Sequence, residues 1–254
     1  MGKIIAVANQ KGGVGKTTTA VNLSSCVAHL GKKVLVVDID PQGNTTDGLG
    51  VDTKDLKYTV YDVLVNDIQA KDAVSLLPYF NMHILASDIN LAGAEIELVS
   101  VAQREFLLKK SLNEIKDNYD FIFIDCPPSL GLITLNGLVA ADTVIVPIQC
   151  EYYALEGVAQ LSNTIRMVKK ALNPELDIEG IVMTMFDGRT NLSLQVVEEV
   201  KKHFGRKVYR SLIPRNVRLS EAPSFGEPII VFDRTASGAA AYNNLAKEFI
   251  EKNE

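Results

Sequence analysis

A chain of 254 residues, 47% of them apolar, suits one large α/β domain with a substantial core and is too short for two comfortable ones. Cys26, Cys126 and Cys150 show no C-x-x-C pairing, which predicts a reduced, cytoplasmic protein without a structural metal. No run approaches the ~18 apolar residues of a membrane span, the N-terminus leaves no room for a cleaved signal peptide, and a net charge of −5 taken alone disfavours a nucleic-acid binder.

The first apolar run, KIIAVAN (3–9), reads as a strand. Ala20, Leu23, Val27 and Leu30 then form a helical stripe at spacings of three, four and three, and Gly31 reads as its stop. KVLVVD (33–38) is a second strand. Residues 41–80 are the least regular, with PQGNTTDGLGVDTKDLK (41–57) expected as a mobile loop. MHILA (82–86) precedes a helix expected over 94–116, and FIFID (121–125) and TVIVPI (143–148) are further strands. A helix over 153–172, the strand IEGIVMTM (178–185) and a helix over 191–204 follow, the last with Val197, Val200 and Phe204 facing inward. The tail GAAAYNNLAKEFIEK places Tyr242, Leu245, Ala246, Phe249 and Ile250 on one side. Continuous Val/Ile runs suit strands buried on both faces. Their alternation with helices predicts a doubly wound, mostly parallel α/β sheet flanked by helices on both faces, as a single domain over 1–254.

The stretch NQKGGVGKTTTA (9–20) joins the first strand to the first helix. The usual phosphate loop is G-x-x-x-x-G-K-[ST]. Aligned on Gly15, Lys16 and Thr17, that pattern puts Gln10 where a glycine belongs, so the loop is a variant, K-G-G-V-G-K-T (11–17). Gly12, Gly13 and Gly15 permit the torsions that let main-chain N–H groups, Val14 included, converge on phosphate oxygens. The following helix points its positive end at the same anion. Lys16 can neutralise β- and γ-phosphates, the Thr17 hydroxyl can ligate Mg²⁺, and Thr18 is placed for the α-phosphate. Two acidic segments suit such a site. FIFIDCPP (121–128) ends a strand in Asp125, the pattern of a Walker B carboxylate. VVDIDPQGN (36–44) puts Asp38 and Asp40 on one face, where one can support a metal and the other orient a water.

The loop K-G-G-V-G-K-T-T, DIDPQGN (38–44) and DCPPSLG (125–131) resemble the ParA/MinD class of P-loop ATPases. QCEYYALEG (149–157) and IPRNVRLSEAPS (213–224) narrow the resemblance to its ParA/Soj branch, which partitions chromosomes and plasmids. The five motifs occur in order, nearly end to end. The resemblance implies ATP and Mg²⁺ as cofactors and an ATP-dependent homodimer. In such a dimer Lys11 reaches the phosphates bound by the partner, stabilising transferring charge as an arginine finger does. It further implies that Asp40 positions the hydrolytic water, that Thr17, Asp40 and Asp125 form the metal side, that Pro214 and Asn216 line the adenine pocket, and that Glu151 lies near the dimer seam.

Between Arg189 and Arg218 eight basic residues face two acidic ones, a net +6 that leaves the rest of the chain at −11. Such a concentration reads as a footprint for a polyanion. The resemblance makes that polyanion non-specific double-stranded DNA, with Arg189 and Arg218 as first candidates, then Lys201, Lys202 and Lys207. It also implies a ParB-type centromere-binding partner that stimulates hydrolysis, and a nucleoid-associated location. The alternative within this class is a membrane-cycling, MinD-like ATPase of division-site placement, which needs a basic amphipathic C-terminal helix. Here Lys247 and Lys252 are opposed by Glu248, Glu251 and Glu254, so the sequence predicts no membrane role. An iron–sulfur reductase would need a second cysteine matched to Cys126. With the loop starting at residue 11, no N-terminal operator-reading extension is expected.

Overall fold

The computed structural model describes residues 2–151 and 154–254, and only the backbone over 154–160. The QCEYYALEG motif and the start of the helix expected from 153 therefore lie partly outside the described residues. In chain order the elements are β1 (Lys3–Val7), α1 (Lys16–His29), β2 (Val34–Asp38), α2 (Asn44–Gly48), α3 (Val60–Val65), α4 (Ala70–Ala73), β3 (Val74–Leu76), β4 (Met82–Leu85), α5 (Leu91–Glu97), α6 (Leu107–Asn113), β5 (Phe121–Asp125), α7 (Leu132–Ala140), β6 (Thr143–Gln149), α8 (Ala154–Ala171), β7 (Asp177–Thr184), α9 (Asn191–Phe204), α10 (Val217–Glu221), α11 (Ile229–Phe232) and α12 (Ser237–Asn253).

The strands form one sheet in the order β3-β4-β2-β5-β1-β6-β7, parallel except for β3, which pairs antiparallel with β4 at the edge. Alternation along a strand splits the core into two layers. Ile4 and Ala6 pack on one face with residues of α3 and α5–α9, while Ile5 and Val7 pack on the other with α1, α11 and α12. The register sets Val7 and Asp38 on either side of Asp125, so the C-terminal ends of β1, β2 and β5 open side by side. Ligands in open parallel sheets bind at that edge, where loops leave in different directions.

The final helix docks rather than standing free. Tyr242, Leu245, Ala246 and Phe249 are buried, the Phe249 ring lies edge-on to Phe121 at 4.9 Å, and the Tyr242 hydroxyl meets Thr19 Oγ1 at 3.1 Å. Its charged face is held as well, with Glu248 accepting from the backbone N–H groups of Arg210 and Ser211 and Lys252 lying 3.8 Å over the Tyr209 ring.

Two expectations need correcting. The helix expected over 94–116 is broken: α5 ends at Glu97, Gln103 adopts a left-handed backbone (φ 55°), and α6 begins only at Leu107. The break is held by Asn136 of α7, fully buried, whose carbonyl accepts from Leu108 N (3.1 Å) and whose amide donates to Arg104 O (2.9 Å). This satisfies backbone groups that an uninterrupted helix would have paired itself. The loop expected over 41–57 is folded: α2 and a 3₁₀ turn at Thr53–Asp55 occupy it, with Thr45, Thr46 and Leu49 buried. Its far end is fixed by backbone contact, since a Cβ on Gly50 would lie 2.8 Å from Gly226 O.

Candidate nucleotide-binding site

The phosphate loop leaves β1 and turns into α1 through two glycines with positive φ, Gly13 (72°) and Gly15 (85°), a region other residues enter at a cost. Gly15 is the N-cap of α1 and offers no capping side chain, so the first-turn N–H groups stay available to an anion. The loop is pinned from both sides. Thr184 Oγ1 at the end of β7 donates to Val14 O (2.8 Å), while Asn9 accepts from Lys11 N (3.0 Å) and donates to Pro147 O (2.7 Å).

The two lysines sit in different surroundings. Lys16 is buried, and its Nζ folds back to donate to Lys11 O at 3.0 Å. Burial lowers its pKa below the ordinary ammonium value, opposed by the charges of Asp125 and then Asp40. Lys11 is on the rim: its side chain is 36% exposed and its Nζ lies 3.4 Å from Glu151 Oε2. A cation so placed can meet a phosphate that Lys16 does not reach.

Asp125 is fully buried. Its Oδ2 accepts from the hydroxyls of Thr17 (2.8 Å) and Thr45 (2.7 Å), while its Oδ1 has no hydrogen-bond partner among the described residues. Burial, and then the charge of Asp38, push its pKa up to about 7. An under-satisfied carboxylate oxygen beside a threonine hydroxyl fits a hydrated divalent cation. Among the described residues no three His, Cys, Asp or Glu side chains gather to hold a metal by themselves. Thr17 and Asp125 would therefore share Mg²⁺ with phosphate oxygens and water.

Asp38 and Asp40 do not divide labour as a metal-and-water pair. Asp38 is wholly buried, and its oxygens accept from Asp40 N (3.0 Å), Thr46 N (2.9 Å) and Thr46 Oγ1 (2.8 Å). Burial raises its pKa to about 6 despite those bonds. It therefore builds the turn that carries Asp40. Asp40 keeps 8% of its surface exposed, accepts from Gln42 N (3.0 Å), and is one of the carboxylates whose field reaches Lys16. It is the member of the pair that a water at the phosphate side can meet.

Next to Gly15 and Thr18 lies a cavity of about 230 Å³, bordered by Thr184, Met185, Pro214 and Asn216. Asn216 caps α10, accepting from Leu219 N (3.2 Å), and donates to Ser237 Oγ (2.8 Å). One amide hydrogen is left for a ligand, so its first duty is to set the turn behind Pro214. Met185, expected only as the last residue of the strand over 178–185, lies just past β7 and enters the cavity wall with a left-handed backbone (φ 51°).

The five basic candidates do not form one surface. Arg189 follows the C-terminal end of β7, 89% exposed and bidentate to Asp187 (2.9 and 2.7 Å). Arg218 is on the same edge, paired with Glu221 (2.8 Å) and Asp233 (3.2 Å) and lying over the Phe232 ring. Lys207 instead binds Asp177 (2.7 Å) and Ile178 O (3.0 Å) at the opposite end of β7. That strand has eight residues, and about 3.3 Å each puts the two ends roughly 25 Å apart. Lys201 and Lys202 end α9, which starts beside Arg189 and closes at the 3₁₀ turn carrying Lys207. The run of charge in the sequence thus divides between the two ends of β7.

The positive end of α1, facing the acidic ends of two parallel strands, is the arrangement of a P-loop nucleotide-binding protein. A sequence profile described as an AAA domain matches residues 2–178. The chain is 59% identical over 248 residues to the sporulation initiation inhibitor protein Soj of Bacillus subtilis (strain 168), covering 98% of each. It is 49% identical over 252 residues to the chromosome partitioning protein ParA of Myxococcus xanthus (strain DK1622), covering 99% of this chain and 89% of that one. Among solved structures it resembles the cobyrinic acid a,c-diamide synthase of Mycobacterium smegmatis with bound ADP and magnesium, at 40% identity and a TM-score of 0.84, over 97% of this chain and 93% of that one. The chain belongs to the Soj/ParA family of P-loop ATPases, as the resemblance of its five motifs implied.

Proposed function

We propose that this chain is a DNA-partitioning ATPase, acting as one domain over 1–254, that uses Mg²⁺ and ATP to switch between monomer and DNA-bound homodimer. Lys16 and the free N–H groups of α1 hold the phosphates, Thr17 and Asp125 the metal side, and the Thr184–Asn216 cavity the base. Mg²⁺, when bound, supplies positive charge to phosphate oxygens. Asp40, held out of the buried network by Asp38, orients the attacking water. Lys11 reaches across to the phosphates of a second copy, and hydrolysis to ADP and phosphate removes the reason for the two copies to stay together.

The observation that carries this reading is the contrast between the two loop lysines, one buried over its own loop and one held at the rim by a half-exposed glutamate. DNA contact falls to Arg189 and Arg218, which share the nucleotide edge of the sheet; a dimer doubles their number and so multiplies affinity. Lys201, Lys202 and Lys207 take a lesser part from the far end of β7. A ParB-type centromere-binding partner stimulates hydrolysis, and the protein works in the cytoplasm on the nucleoid. The burial of the apolar face of α12 supports this reading over a membrane-cycling one. The test is light scattering on Asp40→Ala with ATP, with and without duplex DNA. We expect a stable dimer that retains DNA, and a monomer under ATP would refute the scheme.

A further inference from the structure

Thr45 lies inside α2, fully buried, and its side chain does not bond its own helix. Its hydroxyl donates to Asp125 Oδ2 at 2.7 Å, on the same oxygen that takes the Thr17 hydroxyl at 2.8 Å. Thr17 belongs to the phosphate loop, and Thr45 to the segment that begins with Asp40. Asp125 is thus a carboxylate touched from both sides.

The segment is short and internally tied. Gly43 N donates to Asp40 O (2.9 Å), Gly43 is left-handed (φ 64°), and Asp47 N donates to Gly43 O (2.9 Å). Thr46 fastens it backward to Asp38, the end of its own strand, and accepts from Ser87 N (3.0 Å). The pairing of β2 with β5, continued by Ile39 N donating to Asp125 O (3.1 Å), registers the start of the turn, and the bonds above keep it folded without tying its body to the phosphate-loop side. Among the described side-chain hydrogen bonds, that of Thr45 is the one joining residues 40–49 to the Asp125 carboxyl. A hydroxyl on a buried carboxylate makes a charge-assisted bond, stronger than one between neutral groups, and sets geometry as well as energy. Small displacements of groups that position a reactant change rates far more than affinities.

We propose that Thr45 is a positioning residue for ATP hydrolysis: its hydroxyl locks the segment carrying Asp40 to the carboxylate that also holds Thr17. The inference rests on the ATPase reading above and adds a residue to it.

The test compares Thr45→Val, nearly the same shape without the hydroxyl, with Thr45→Ser, which restores it. Thr45→Val should lower kcat by about tenfold or more while KM and the affinity for a fluorescent ADP analogue stay within about twofold, and Thr45→Ser should recover most of the loss. A second readout needs no turnover: amide hydrogen exchange over residues 43–49 of the nucleotide-free protein should speed up about tenfold in Thr45→Val and not in Thr45→Ser. Wild-type kcat and exchange in Thr45→Val would overturn the proposal, as would nucleotide affinity falling in step with kcat. Should Thr45→Val not fold, Thr45→Ala carries the same expectation, and a serine variant as impaired as the alanine one would overturn it. Wild-type protein that hydrolyses no ATP would defeat the ATPase reading itself, whereas the exchange comparison still decides whether Thr45 is the tether.

Discussion

Asp125→Asn should make the empty protein more stable, and increasingly so as pH rises. The carboxyl is wholly buried, and burial with the charge of Asp38 pushes its pKa from the ordinary carboxyl range up to about 7. A raised carboxyl pKa means that the folded state holds the proton more tightly than the unfolded chain. Its contribution is fully present below the unfolded pKa and is lost as pH climbs toward 7. A shift of this size corresponds to roughly 4 kcal/mol over the whole titration, of which roughly 2–3 kcal/mol is lost between pH 5 and 8. Part of the shift is the charge of Asp38, so the gap that Asp125→Asn opens will fall at or below that figure. Asparagine keeps an oxygen for the Thr17 and Thr45 hydroxyls and never ionises. Urea unfolding in a chelator without nucleotide, at pH 5, 6, 7 and 8, measures the difference between the two proteins and cancels the histidines common to both. We expect the variant's advantage to widen by about 1–2 kcal/mol from pH 5 to 8 and then to level off. A constant gap, or one that narrows with pH, would mean that Asp125 is ionised at little cost and that its burial has been misread. Adding Mg²⁺ and ADP should reverse the order, because the carboxylate then gains a cation that asparagine cannot match.

Lys11→Ala should bind ATP within about threefold of wild type yet remain monomeric by light scattering, since only the cis phosphate contacts survive; an ATP-dependent dimer of normal stability would remove its trans role. Arg189→Glu with Arg218→Glu should abolish DNA retention while sparing dimerisation, and Lys207→Glu should cost far less, because Lys207 lies beside Asp177 at the other end of β7. Filter binding across a salt series separates the two, and equal losses would mean that both ends touch DNA. Asn136→Ala should destabilise the fold by about 2–4 kcal/mol in urea, since it removes the buried partner of Leu108 N and Arg104 O; a cost below about 0.5 kcal/mol would show that the helix break holds without it.

What the sequence made legible was local. Glycines at forced torsions, a lysine and threonine opening a helix, and aspartates at strand ends declare themselves within a few residues, and the structure brings Lys16, Thr17, Asp40 and Asp125 close together. Helix α7 went unread because LITLNGLVA is apolar on every side and has no periodic face. The interruption of 94–116 was hidden because its cause, Asn136, lies about thirty residues downstream and acts only once the chain is folded. Thr45 and Thr46 looked like loop residues, since their partners are on other elements. The basic run does not reveal its own layout for a geometric reason: charges close in sequence are carried apart along β7 and α9.

In the proposed dimer, the contrast between the loop lysines gives each its own task. Lys16 is desolvated, and its charge is offset by Asp125 and Asp40 at fixed positions, so losing a phosphate does not leave it bare. The described partner of Lys11 is Glu151, at 3.4 Å, with both side chains more than a third exposed. Exposed ion pairs of this kind contribute about 0–1 kcal/mol. A triphosphate offers several negative charges in a gap that a second copy would dry out, where attraction grows as water leaves. Lys11 therefore gives up little by leaving Glu151 and gains much by meeting phosphate, whereas Lys16 is committed whether or not a partner arrives. Under the proposed scheme, burying Lys11 as deeply as Lys16 would bind nucleotide in a single chain and erase the dependence of pairing on ATP.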